Sequence, residues 1–156
     1  MSESTTNDAQ PIFSLQKLYI KDCSFENPNA PTVFTTPSEQ PHIELNLSLN
    51  HQQLDTEHWE VTLHISVITR DQESQQLLFE IELEHAGLFY MSHIDEAHLP
   101  LLLGVECPTI LFPYTRQLIS QLTVDGGFMP LLLEPINFRA AFEESQMQQE
   151  SEAVIH

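Results

Sequence analysis

Three stretches of this chain alternate apolar and polar residues with a period of two. "HIELNLSLN" sets Ile43, Leu45, Leu47 and Leu49 on one side and Glu44, Asn46 and Ser48 on the other. "WEVTLHISVITR" aligns Trp59, Val61, Leu63, Ile65 and Val67, and "QQLLFEIELEH" aligns Leu77, Phe79, Ile81 and Leu83 opposite Glu80, Glu82 and Glu84. A strand turns successive side chains to opposite faces, so each run predicts a strand with one buried and one wetted side. A fourth run, Ile12 to Phe25, places Phe13, Leu15, Tyr19, Cys23 and Phe25 on odd positions. Leu18 and Ile20 break its alternation and suggest cover on both faces of the first half, whereas Asp22, Ser24 and Glu26 leave the even side polar at the end. Strands of this kind assemble into an antiparallel sheet that is solvated on one side.

The connections differ in character. Between the first two strands lies "NPNAPTVFTTPSEQP", where Pro28, Pro31, Pro37 and Pro41 remove ladder donors. It reads as a long crossover loop, a kind of segment that is often functional, and it carries Val33 and Phe34 as apolar tips. After "AGLFYM" the period changes. His98 to Gly104 suggests a short helix, and Pro108 suits the first turn of a longer one. Leu111, Tyr114, Leu118, Ile119 and Leu122 follow helical spacing up to the stop at Gly126-Gly127, with Pro113 bending the helix near its start. "FMPLLLEPI" is a proline-broken apolar loop, and Asn137 reads as the N-cap of a last helix with Phe138 and Phe142 on one stripe. The expected fold is α+β: a four-stranded antiparallel sheet with helices packed on one face. Residues 1–10 are expected to be a disordered tail, 11–145 a single domain and 146–156 a flexible polar tail.

The helix over residues 109–125 carries more apolar side chains than one sheet face needs. That surplus predicts burial against a neighbouring chain through Leu111, Tyr114, Leu118, Ile119 and Leu122.

Charge narrows the partners. Five Lys+Arg against 23 Asp+Glu give a formal charge of -18, which argues against nucleic acid and anionic membrane, both of which need clustered cations. A basic protein partner would suit this surface. No signal peptide or membrane span is legible, and Cys23 and Cys107 stand far apart, as buried reduced thiols of a cytoplasmic protein would. His85, His93 and His98, with Asp95 and Glu96 nearby, match neither His-Glu-x-x-His nor a structural zinc spacing, and His58 and His64 fall on solvent-leaning positions. No nucleophile elbow, Walker loop or dinucleotide fingerprint is present. These residues favour an interaction protein over an enzyme, with no cofactor or metal.

Three motifs in register carry a resemblance: "YIKDCSFENPNAP", "CPTILFPYTR" and "GGFMPLLLEPINF". Over about residues 11 to 145 the chain resembles the SecB family of protein-export chaperones. The resemblance implies a homotetramer, a dimer of dimers with the long helices sandwiched between dimers, that uses no nucleotide. It implies that unfolded preproteins are held and passed to the SecA ATPase. It places the SecA contact on Asp22, Glu26, Glu80 and Glu82, and client binding on Phe34, Ile43, Leu45, Phe128, Phe138 and Phe142. The alternative is a SecB-like chaperone of a toxin–antitoxin module, or a scaffold acting without SecA. The chain departs from the family pattern at Ala86, where relatives tend to have a second glycine. It departs again at Val124-Asp125, where they tend to carry Ser-Arg and where an acidic helix end opposes the dipole.

Overall fold

The computed structural model describes residues 9–155 of the chain and the side chains of residues 9–151. Strands β1 (Ile12–Glu26), β2 (Pro41–Gln53), β3 (His58–Asp71) and β4 (Leu77–Ser92) form one antiparallel sheet in the order β1-β4-β3-β2. A short helix, α1 (Thr32–Thr35), lies in the crossover from one edge strand to the other. After β4 come α2 (Leu99–Leu101), a π-helical turn (Leu102–Glu106), α3 (Cys107–Asp125) and α4 (Phe138–Ile155). The α+β architecture is the one the alternation implies.

Pairing register explains why the apolar positions share a face. Leu47 pairs with Ile65 and Leu49 with Leu63, while Ile65 and Val67 pair with Leu83 and Ile81. Directly paired residues project to the same side, so the odd positions of β2, β3 and β4 form one apolar surface. Leu63, Ile65, Ile81 and Leu83 are wholly enclosed beneath α3 through Leu111 and Ile119. β4 also runs on through "AGLFYM", where Phe89 and Met91 keep the same parity and are buried.

β1 departs from the sequence expectation. Its register shifts between Leu15 and Lys17 and again between Ile20 and Asp22, so Gln16 and Lys21 are extra residues against β4. Each one-residue bulge reverses the parity of the residues beyond it. Phe13, Leu15, Leu18, Ile20, Cys23 and Phe25 therefore all face the helices, because their partners from Met91 to Ile81 do. Tyr19, expected beside Cys23, turns to the opposite face, and Leu18 and Ile20 cover no second surface.

The segment from Leu99 to Asp125 is continuously helical, where two separate helices were expected. The cap residues between its parts, Leu101, Leu102, Glu106 and Cys107, keep right-handed helical angles. The π-helical turn ends two residues before Pro108, widening the helix in the turn ahead of a proline that cannot donate an N–H. Pro113 also stays inside α3. Leu111 and Ile119, expected at an interface with another chain, are core residues against the chain's own sheet. Tyr114 is 49% exposed, and Leu118 and Leu122 are half-buried beside the core.

α4 starts as expected, with the Ala140 N–H donating to Asn137 Oδ1 at 3.0 Å. It continues to Ile155, through most of what was expected to be a flexible tail; residues 143–151 are exposed, so this part stands off the core. The expected N-terminal tail lies outside the described residues apart from Ala9 and Gln10. Cys107 is buried, and burial pushes its thiol up to about 12. Cys23 is exposed, contrary to expectation, on β1, an edge strand of the sheet.

Candidate functional site

The helix side of the sheet opens into a groove where the crossover loop meets the end of α3. Two asparagines of the "FENPNAP" motif pin the loop: Asn27 Nδ2 donates to the Gly126 carbonyl at 3.0 Å, and Asn29 Nδ2 to the Leu77 carbonyl at 2.8 Å. α3 itself ends in paired bonds from Phe128 N–H to Thr123 O (2.9 Å) and from Gly127 N–H to Val124 O (3.0 Å). That closure requires a left-handed residue between them, and Gly127 supplies it with φ +91°. The absence of a Cβ also lets the Phe34 ring lie directly on Gly127, where a Cβ would come within 2.8 Å of it.

Beside this pinned corner sits an aromatic cluster. Phe128 packs at 5.2 Å from Phe34 and 4.8 Å from Phe79, and Phe25 at 5.7 Å from Phe79. Val33 is buried and anchors α1, which leaves Phe34 43% exposed at the rim. The groove encloses about 430 Å³ and is walled by Phe34, Ile43, Phe79, Phe128, Met129 and Leu131, with Thr69 in its lining. It adjoins a polar hollow through Pro37, Ser38 and Leu78. Asp71 lines that hollow, and its carboxyl is held below the ordinary range by hydrogen bonds from Ser38 and Ser74.

Of the residues the resemblance placed in a client site, Phe34, Ile43 and Phe128 converge on this groove. Leu45 comes next on the same face of β2 and is as exposed as Ile43, at 42%. Phe138 and Phe142 do not join them. Phe138 is 6% exposed and meets Phe112 edge-on at 5.9 Å, while Phe142 packs over Gly104. Both fasten α4 to the π-helical turn and α3, apart from this groove. Sequence reasoning missed Asn27, Asn29, Phe79 and Leu131. The asparagines sit in a loop whose partners lie far along the chain, so only their short spacing within the motif could have pointed to them.

The opposite face of the sheet is acidic. Asp22 pairs with Glu84, Ser24 with Glu82 and Glu26 with Glu80, which brings Asp22, Glu26, Glu80 and Glu82 onto one surface. Glu82 is held on both oxygens: Ser66 Oγ donates to Oε1 at 2.9 Å, and His64 Nε2 lies 3.0 Å from Oε2. Toward the other end, Glu60 accepts from Lys21 at 2.8 Å and from Tyr19 at 2.6 Å. These bonds hold the Glu60 carboxyl low, while desolvation and Glu60 together raise the Tyr19 hydroxyl. The sequence places His64 and Glu84 on the solvated side of their strands without giving them a role, and Ser66, which shares that parity, was not singled out.

His85 lies on the helix side, 4% exposed, with Nδ1 2.8 Å from Thr115 Oγ1. The Thr115 hydroxyl donates to the Leu111 carbonyl, so the imidazole N–H donates to Thr115, and burial lowers the histidine below its ordinary 6.5. Among the described residues no three His, Cys, Asp or Glu side chains are grouped to hold a metal ion. Among them also, no helix is long and apolar enough to cross a membrane.

These features define a class: an open-faced α+β protein with an apolar groove on one side of its sheet and carboxylates on the other. The model of the family described as "Preprotein translocase subunit SecB" matches residues 6–150. The "Protein-export protein SecB" of Desulfotalea psychrophila is 48% identical over 144 residues, covering 92% of each chain. That of Magnetococcus marinus is 43% identical over 147 residues, covering 94% of this chain and 92% of the relative. Among solved structures, the SecB-like chaperone of Mycobacterium tuberculosis in complex with a ChAD peptide from the HigA1 antitoxin superposes with a TM-score of 0.65. It is 18% identical and the match covers 80% of this chain and 90% of that one, a likeness of fold. The chain belongs to the SecB family.

Proposed function

We propose that this chain is a cytoplasmic export chaperone that holds preproteins unfolded in its apolar groove and delivers them to SecA at its acidic face. It does so without ATP, as a homotetramer built from two dimers. The observation that carries this reading is the opposition of the two faces of one sheet: Phe34, Ile43 and Phe128 open to one side, Asp22, Glu26, Glu80 and Glu82 to the other. Two functions on two faces let a client stay bound while the ATPase docks.

The β2 edge supports the client half of the proposal. Exposed edges are normally blunted by Lys, internal Pro or bulges. β1 carries Lys17, Lys21 and two bulges; β2 carries no Lys, no Pro beyond its first residue and no register shift against β3. An extended client that leaves the groove at Ile43 can pair its backbone along this edge, a mode that tolerates many sequences. Assembly would cover what one chain leaves open, namely Tyr114, Leu118 and Leu122 of α3 together with Ile20 of β1.

The test dilutes an unfolded preprotein into buffer with and without this protein, nucleotide absent, beside a SecA titration of the wild type and Glu82→Lys. Wild type should suppress aggregation and bind SecA, and Glu82→Lys should hold the client while losing most SecA affinity. If wild type and Glu82→Lys bind SecA equally, or neither binds, the acidic-face reading fails. The SecA-independent chaperone then becomes the better account.

A further inference from the structure

Glu82 is singled out among the carboxylates of the acidic face by having both oxygens engaged by β3 side chains. A carboxylate only accepts, so His64 Nε2 carries a hydrogen and donates to it, leaving Nδ1 as the position that a second proton would take. Histidine is the side chain whose charge changes near neutrality. With His64 neutral, the His64–Glu82 pair presents a full negative charge in a fixed orientation; with His64 protonated, the pair is neutral.

The surroundings of His64 are acidic. From β4 it faces Glu82 and, as its direct partner, Glu84. From β2 it faces Ser48, with Asn46 and Asn50 to either side. On its own strand the same-side neighbours are Thr62 and Ser66, with Glu60 beyond them. Across β4, on β1, Asp22 stands opposite Glu84 and Ser24 opposite Glu82. Lys21, on the neighbouring β1, is bound to Glu60 and lies within electrostatic reach of Glu84. The other histidine toward this end of the face, His42, is paired with Arg70, away from the cluster.

We propose that His64, with Ser66, is the positioning residue that presents Glu82 to a cationic partner, and that a proton on His64 weakens that docking. The inference rests on the acidic-face reading above and adds a regulation to it. Ser66 and His64 remove the rotamer freedom that an exposed glutamate would otherwise lose on binding, so docking meets a preorganised carboxylate. A cation arriving at Glu82 competes with a protonated His64 for the same oxygen, so binding is coupled to proton release, and by linkage affinity falls as the pH is lowered.

The experiment measures binding at pH 6 and pH 8 by calorimetry, with proton exchange read from buffers of different ionisation enthalpy. Two probes are used, SecA and a decalysine peptide, which does not titrate in this range. The proteins are the wild type, Glu82→Lys, Ser66→Ala and His64→Gln, the last keeping an N–H donor at the position of Nε2 without a titrating ring. Wild type should bind both probes roughly threefold to tenfold more tightly at pH 8 and release a fraction of a proton at pH 6. His64→Gln should bind alike at the two pH values, with affinity near that of wild type at pH 8. Ser66→Ala should lose affinity and keep its pH dependence. A pH dependence that persists in His64→Gln, or is missing from wild type while Glu82→Lys still abolishes docking, overturns the proposal and leaves the acidic face standing. If Glu82→Lys binds like wild type, the docking reading fails and this proposal falls with it.

Discussion

Replacing Phe34 and Phe138 by alanine should separate a groove residue from a core residue of the same chemistry. Full burial of a phenylalanine side chain stabilises by about 1.5–3 kcal/mol. Phe34 is 43% exposed, with its covered part resting on Gly127 and Phe128, so Phe34→Ala should cost roughly 1 kcal/mol of stability. In a chain of this size that is a fall in Tm of about 2–4 °C. Phe138 is 6% exposed against Phe112, and deletion of such a ring leaves a cavity as well as a transfer loss, about 3–5 kcal/mol in all. Against a total of about 5–15 kcal/mol, Phe138→Ala should melt far lower or fail to accumulate as a folded protein. The order reverses for client capture. An aromatic anchor in a groove contributes roughly 1–3 kcal/mol, so Phe34→Ala should weaken binding of an unfolded preprotein about 5- to 150-fold. Phe138→Ala, at a temperature where it is folded, should bind like wild type. Thermal circular dichroism and fluorescence titration with one client measure both quantities on the same samples. A stable Phe138→Ala that has lost its client, or a Phe34→Ala that binds normally, would refute the placement of the groove.

Leu118→Asp should convert the assembly into dimers or smaller species by burying an unpaired carboxylate at the proposed interface, a loss of several kcal/mol; sedimentation velocity at micromolar concentration reads it, and a monomeric wild type would remove its basis. His85 should make the fold acid-sensitive. Its folded-state value lies below the ordinary 6.5, so above that pH the residue is neutral in both states and costs nothing. As the pH falls below 6.5 the unfolded chain takes up the proton first and stability drops, levelling only below the depressed folded value. Urea midpoints at pH 7.5 and 5.5 should therefore differ by more for wild type than for His85→Gln.

Strand parity was legible wherever pairing is regular. In β2, β3 and β4 the alternation alone assigns Leu47, Ile65 and Ile81 to the buried face and Glu80 and Glu82 to the open one, because no register shift interrupts those runs up to Thr69. β1 was misread because a bulge is a property of two strands. Nothing in "SLQKLYIKDC" marks Gln16 and Lys21 as extra until β4 is laid beside them. Helix ends with local chemistry were equally legible: Asn137 caps through its own side chain and Gly127 closes α3 through its φ. Helix faces were less so. The surplus of apolar residues on α3 was real, but spacing could not say which of Leu111, Tyr114, Leu118, Ile119 and Leu122 the chain's own sheet would take. Two of them, Leu111 and Ile119, went to the core.

The same division governs the candidate sites. The acidic face comes from strand parity, a local property, so its carboxylates could be read from the sequence. The groove depends on Asn27 and Asn29 reaching Gly126 and Leu77 from far along the chain, and on Phe34 meeting Gly127, whose missing Cβ leaves room for its ring. Gly127 therefore ties helix termination to groove formation: a side chain there would strain a φ of +91° and displace Phe34 in one step. The loop that carries the exposed Met129 starts from the same residue, so the adaptable rim of the groove is anchored by the most constrained backbone position beside it. On the proposed reading, a rigid base beneath exposed apolar side chains would let the groove accept many client sequences without loosening the fold that presents them.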